Sequence, residues 1–161
     1  MEVRQRVRDV VVEDGWALIK LDQVPDKPGV AAAIFGPIAE AGVSVDLILQ
    51  NASQDRTTDI SFTVSQRDLP RAWACLDAIR AATDAAGVRT LEDLAKVALV
   101  GTGILTDPAY VGRMFRVLAD AGVNVLAIGT SEIRISCLVH RADGERAGQA
   151  LNAAFQVNSQ L

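Results

Sequence analysis

Apolar positions along this chain recur in two rhythms, and the rhythms alternate. Val7–Val12 and Trp16–Leu21 are β-branched or apolar runs separated by Glu13-Asp14-Gly15, which predicts two strands joined by a tight connection. Val30, Ile34, Ile38 and Ala41 then fall on one helical face, so a helix is expected over 29–41, interrupted by Pro37 and stopped by Gly42. Val43–Leu49 reads as a strand ending in Gln50-Asn51, and the polar stretch Ala52–Thr57 reads as a turn. From Thr58 the chain alternates strictly, which places Ile60, Phe62 and Val64 inward and Asp59, Ser61 and Thr63 toward water. Ser65–Asp68 is a helix start, after which Leu69, Ala72, Trp73, Leu76 and Ile79 carry a second helical face to about Ala82. A short strand, Val88–Leu91, closes this module.

Eighty residues on, the order returns. A strand at Lys96–Val100 leads into the loop Gly101–Pro108 and a helix at Ala109–Ala121; strands at Val123–Ile128 and Ile133–Val139 and a helix at Gly144–Phe155 follow. Pro28 is matched by Pro108, and A-E-A-G-V-S-V at 39–45 by A-D-A-G-V-N-V at 119–125, without a change of offset. A duplicated module follows from that match. Only Val157–Leu161 remain after the last helix, too few for a fourth strand, whereas the first module has a spare strand at 7–12. The spare strand is therefore expected to complete the second sheet, with domains at 16–95 and at 1–15 plus 96–161. The fold class is α+β: two ferredoxin-like βαββαβ modules, each an antiparallel sheet with helices on one face.

Composition narrows the function. With 161 residues, half of them apolar, the chain can bury a core in two small domains. A net charge of −4, few aromatics and scattered basic residues speak against nucleic acid as a partner. Arg4, Arg6 and Arg8 near the N-terminus precede no secretory segment, and no apolar run reaches 18 residues, so no membrane partner and a cytoplasmic location are expected. Cys75 and Cys137 are expected to be small core residues rather than a disulfide, and a single histidine, His140, offers no metal spacing. Gly101-Thr102-Gly103 lacks the further glycine and the Lys-Ser/Thr of a phosphate cradle. No catalytic residue, metal ligand or cofactor is expected in this chain.

The loop Asp26-Lys27-Pro28-Gly29-Val30 suits a zwitterion. Backbone N–H groups around Gly29 and Val30, at a helix start, can receive a carboxylate, and Asp26 can receive an ammonium. Pro28 fits a first helical position, and Gly29 permits close approach. Gln50 and Asn51 add neutral donors and acceptors. The plainer reading is that Asp26 caps the helix and Gln50-Asn51 opens a turn; spacing alone leaves both open.

The run V-P-D-K-P-G-V-A-A-A-I-F, with V-D-L-I-L-Q-N-A-S and T-T-D-I-S-F-T-V, resembles the first regulatory ACT domain of aspartokinase. K-V-A-L-V-G-T-G-I and N-V-L-A-I-G-T-S-E-I-R-I-S resemble the second, so the likeness covers nearly the whole chain. The resemblance implies a non-catalytic, regulatory part of an enzyme that phosphorylates aspartate on the way to lysine, threonine and methionine. ATP and magnesium would belong to the catalytic α subunit. It further implies a homodimer through the ACT domains and an effector pocket on Asp26, Pro28, Gly29, Val30, Gln50 and Asn51. The partner chain would complete that pocket with Asn124, Val125 and Leu126. Threonine is the implied effector, with lysine acting jointly in the heteromer, although Leu126 departs from the polar or acidic residue often found there. Thr130-Ser131-Glu132 reads as a connection between strands rather than a ligand contact. A separate β subunit and a fragment of a longer enzyme would look alike. Three rivals stand beside this reading: an ACT regulatory subunit of acetohydroxyacid synthase, an RNA-binding sandwich and a stand-alone enzyme.

Overall fold

A computed structural model of the chain describes residues 6–52 and 55–157. Arg4, Ser53 and Gln54 of the predicted turn, and the residues from 158 onward lie outside the described residues. In chain order the elements are β1 (Val7–Pro25), α1 (Val30–Glu40), β2 (Val45–Gln50), β3 (Thr57–Ser65), α2 (Leu69–Thr83), β4 (Gly87–Gly101), α3 (Pro108–Asp120), β5 (Ala127–Ser131), β6 (Arg134–His140) and α4 (Arg141–Phe155). Contacts divide the chain into two units. One is Gly15–Asp93; the other joins the described residues up to Asp14 to those from Leu94 on.

In the Gly15–Asp93 unit the strand order is β2-β3-β1-β4. β3 lies antiparallel to β1, with Leu18 opposite Thr63 and Leu21 opposite Ile60, and antiparallel to β2, with Ile48 opposite Phe62 and Gln50 opposite Ile60. Ile34 and Ile38 of α1 and Leu76 and Ile79 of α2 pack on Ile19, Leu21, Ile60 and Phe62 in one buried cluster. In the other unit the order is β1-β4-β6-β5, and Val97, Leu99, Ile135 and Cys137 meet Met114, Leu118, Leu151 and Phe155. Val7 belongs to this second core. Both units are ferredoxin-like modules with two helices each.

The repeated A-x-A-G-V segment has a physical meaning in both. Gly42 and Gly122 adopt φ of 73° and 71° after the helix ends at Ala41 and Ala121. Gly42 N–H donates to the Ala39 carbonyl and Val43 N–H to that of Ile38; Gly122 donates to Ala119 and Val123 to Leu118. This paired closure satisfies two orphan carbonyls per helix, and the αL residue it requires is a glycine.

Several expectations need correction. Glu13-Asp14-Gly15 is not a turn: β1 runs through it, with Gly15 at φ 81° inside the strand. The predicted strands at 88–91 and 96–100 are likewise one strand, β4, which passes through Asp93 at φ 54°. A left-handed residue in the middle of a strand reads as a break in sequence, although it only bends the strand. β2 and β5 start later than predicted, at Val45 and Ala127, because Val43 and Val123 are used to close the preceding helices. Thr63 is fully buried rather than wet, and its hydroxyl accepts the Leu47 N–H at 2.8 Å. Trp73 is 52% exposed and stands outside the core. Helix α4 begins at Arg141, which leaves Gly144 and Gly148 in its interior; a Cβ on Gly148 would lie 2.6 Å from Val12. Glycine there lets a strand side chain approach the helix.

On the polar face of the first unit, Arg89 holds Asp22 through two hydrogen bonds of 2.9 Å, and Lys20 lies 3.4 Å from both Asp22 and Asp59. The Arg89 guanidinium outweighs the opposing effect of burial and, helped by Lys20, keeps the Asp22 carboxyl below the usual carboxylate range. A depressed carboxylate stabilises the fold above its unfolded pKa of about 3.9, and that contribution is lost as pH falls through its lower folded value. Asp22→Asn is therefore expected to lower the urea midpoint at neutral pH, with the gap to the parent closing on acidification. A gap that stays constant with pH would remove the ion pair from the stability account.

Candidate functional site

The end of β1 delivers the chain to an exposed loop before α1. Asp26 N–H donates to the Arg56 carbonyl at 2.9 Å, Lys27 N–H to Pro25 at 3.1 Å and Val30 N–H to Lys27 at 3.3 Å. Gly29, at φ 93°, is the residue at the helix cap, and no side chain caps the helix. Two expectations change with that geometry. Pro28 lies one residue before the cap rather than at the first helical position, because the Lys27–Val30 turn comes before the helix. The Val30 N–H is consumed by that same turn, and the Val30 side chain is buried in the core. Ala33 N–H returns to the Gly29 carbonyl, so the first-turn N–H groups left without an intrahelical acceptor are those of Ala31 and Ala32. The plainer reading of Asp26 also fails: its carboxylate does not cap α1.

Strand β3 brings the rest of the predicted set to this loop. Val24 and Pro25 pair with Thr58 and Thr57 on one side of β3, and Gln50 pairs with Ile60 on the other. Asn51 N–H donates to the Asp59 carbonyl, and the Thr58 hydroxyl donates to the Asn51 carbonyl at 2.6 Å. The side chains of Asp26, Gln50 and Asn51 are all exposed at this end of the sheet. Asp59 supports the arrangement from beneath: it accepts the N–H of Gln23, the bulged residue at φ 51°, at 2.9 Å. Sequence reading missed that role, although Asp59 is visible in the alternation of β3. Asn124, Val125 and Leu126 lie in the other unit, in the extended segment before β5; Asn124 is exposed and Leu126 N–H donates to the Leu138 carbonyl at 2.8 Å.

The loop of the other unit is built differently. Asp107 caps α3 by accepting the Ala109 N–H at 3.0 Å, and Pro108 takes the first helical position. Arg6 reaches the Gly103 carbonyl and the Thr106 hydroxyl, each at 2.9 Å. A hollow of about 510 Å³ lies beside Trp73, Gln66 and Glu92, and none of the predicted site residues lines it. Both cysteines are free thiols, and burial pushes Cys137 up to about 12, which keeps it an inert core residue. Among the described residues no cluster of His, Cys, Asp and Glu could hold a metal, and no helix is long and apolar enough to cross a membrane.

ACT-domain family models match residues 18–81 and 97–155. The chain is 36% identical to a chain in a crystal structure of aspartokinase alpha and beta subunits, covering 94% of this chain and 99% of that one with a TM-score of 0.86. The chain belongs to the aspartokinase family, as its regulatory ACT region. The regulatory subunit of aspartate kinase from Thermus thermophilus, in a ligand-free form, is 33% identical over 93% of this chain and 99% of its own, with a TM-score of 0.87. The aspartokinase of Corynebacterium efficiens is 38% identical over 150 residues, which is 92% of this chain and 36% of that protein. This aspartokinase region thus spans about a third of the length of such full enzymes. It is a regulatory, non-catalytic part, made of the two ACT modules whose loop and strand ends are described above.

Proposed function

We propose that this chain is the regulatory subunit of an aspartokinase and binds threonine at the loop before α1, for feedback inhibition of aspartate phosphorylation. The observation that carries the reading is the uncapped start of α1 beside an exposed Asp26 carboxylate. Ala31 and Ala32 N–H groups and the helix dipole receive the amino-acid carboxylate, Lys27 adds positive charge, and Asp26 receives the ammonium. Gln50 and Asn51 read the side chain from the end of β2. A second copy of the chain supplies Asn124, Val125 and Leu126, so a ligand bridges two chains. Because the effector binds only the assembled pair, it favours that arrangement, and the catalytic α subunit is restrained when the arrangement is held. Lysine acts jointly with threonine in the heteromer.

The test is a melting-temperature shift with threonine, lysine, methionine, isoleucine and valine. A selective rise with threonine is expected, since a ligand specific to the folded state at about a hundred times its Kd adds roughly 2.7 kcal/mol. A rise with valine alone would transfer the function to an acetohydroxyacid synthase regulator. Asp26→Asn is expected to weaken threonine binding by about 1.5–3 kcal/mol, the value of a charged hydrogen bond, in calorimetry. Unchanged affinity would remove Asp26 from the site.

A further inference from the structure

The two loops occupy the same place in the repeat but differ at the positions that meet a zwitterion. At the constant offset, Thr106 stands for Asp26, Asp107 for Lys27, Pro108 for Pro28 and Ala109 for Gly29. We propose that the second loop, Gly101–Pro108, is an effector site closed from within. Arg6 and Asp107 stand there where a ligand's ammonium and carboxylate would stand, so each chain takes its amino acid at the first loop alone. The inference rests on the reading of the first loop as an effector site.

Three observations carry it. A cation already sits on the residue that replaces Asp26: Arg6 Nη1 donates to Thr106 Oγ1 and to the Gly103 carbonyl, both at 2.9 Å, and Thr106 Oγ1 itself donates to Gly103 at 2.7 Å. A carboxylate already sits on the helix start: Asp107 accepts the Ala109 N–H, whereas Lys27, at the corresponding place in the first loop, has no acceptor to offer. The Arg6 backbone is also fixed across the base of the loop. A Cβ on Gly101 would lie 1.9 Å from the Arg6 carbonyl oxygen, and Arg6 N–H lies 3.4 Å from the Tyr110 hydroxyl. The first loop has none of these: a Cβ on Gly29 would meet nothing within 4 Å, and no side chain caps the helix. One module therefore carries its own internal counterpart of an amino acid, while the other presents the complementary charges to solvent.

Calorimetry on the full chain with threonine tests this. One threonine per chain is expected, and none after Asp26→Asn; two per chain, or a surviving site in the Asp26→Asn variant, would overturn the proposal. Adding Arg6→Ala and Thr106→Asp to Asp26→Asn frees the second loop and gives it a carboxylate, so threonine binding should return. A folded triple variant that binds nothing would count against closure. If the parent binds no threonine at all, the first-loop reading fails, and closure is judged separately by amide exchange. Arg6→Ala should then speed exchange at Thr106, and Asp107→Asn at Ala109, by roughly tenfold or more. Exchange unchanged in both would sink the internal-ligand reading whatever the first loop does.

Discussion

Phe62→Ala should destabilise the first ACT module by about 3–5 kcal/mol, the usual range for emptying a fully buried aromatic site. Phe62 is wholly inaccessible, and its ring meets that of Phe35 edge to face at 5.2 Å, a geometry that adds to the burial. It lies opposite Ile19 on β1 and Ile48 on β2, so the cavity would open beneath the strand that joins the effector loop to Gln50 and Asn51. Small domains are stable by about 5–15 kcal/mol, so the loss is a large fraction of the total. Denaturant unfolding and hydrogen exchange check it: protection should fall first among residues 15–93. A loss below about 1 kcal/mol would mean that β3 is not the centre of this core.

Gly101→Ala is expected to cost about 3 kcal/mol, the upper end for overpacking, because the added methyl meets backbone rather than a movable side chain. The Arg6 carbonyl oxygen is 1.9 Å from the built Cβ and Ile104 Cγ2 is 3.0 Å away, while Gly101 N–H is held by the Ile133 carbonyl at 2.8 Å. The glycine cannot retreat, so Arg6 has to move. Gly112→Ala is the internal control: its Cβ would meet nothing within 4 Å on helix α3, and alanine is the better helix former by about 0.8–1 kcal/mol. Urea midpoints of the pair should move in opposite directions. Equal midpoints would show that the base of the second loop yields freely.

What could be read from the sequence and what could not divide along physical lines. Val30, Ile34 and Ile38, and Ile60, Phe62 and Val64, are buried as their periods require, because one face of each element has no alternative but the core. The repeat located both helix stops, since a left-handed residue after a helix demands glycine. The same glycine logic misled at Gly15, where a positive φ bends β1 without ending it. Trp73 fits the helical period of α2 yet is half exposed, because periodicity marks a face and not what covers it. At the candidate site, Asp26, Gln50 and Asn51 were legible as polar groups bounding predicted elements, and β3 brings them to one end of the sheet. The hydrogen-bond assignments were not legible. Val30 N–H is spent in a local turn, and the Arg6 contact with Thr106 joins residues 100 positions apart, a distance no local pattern encodes.

The unbroken course of β1 and β4 also bears on how such regions can be recombined. Each strand changes unit without leaving the strand, at Asp14–Gly15 and at Asp93–Leu94. The second module is therefore not a contiguous cassette: a gene fusion that transfers only the residues after Asp93 leaves behind the strand that contributes Val7 to its core and Glu13, 3.0 Å from the Lys96 ammonium. Exchange of effector specificity between relatives needs two breakpoints, with the first module moved as an insert into an otherwise intact host.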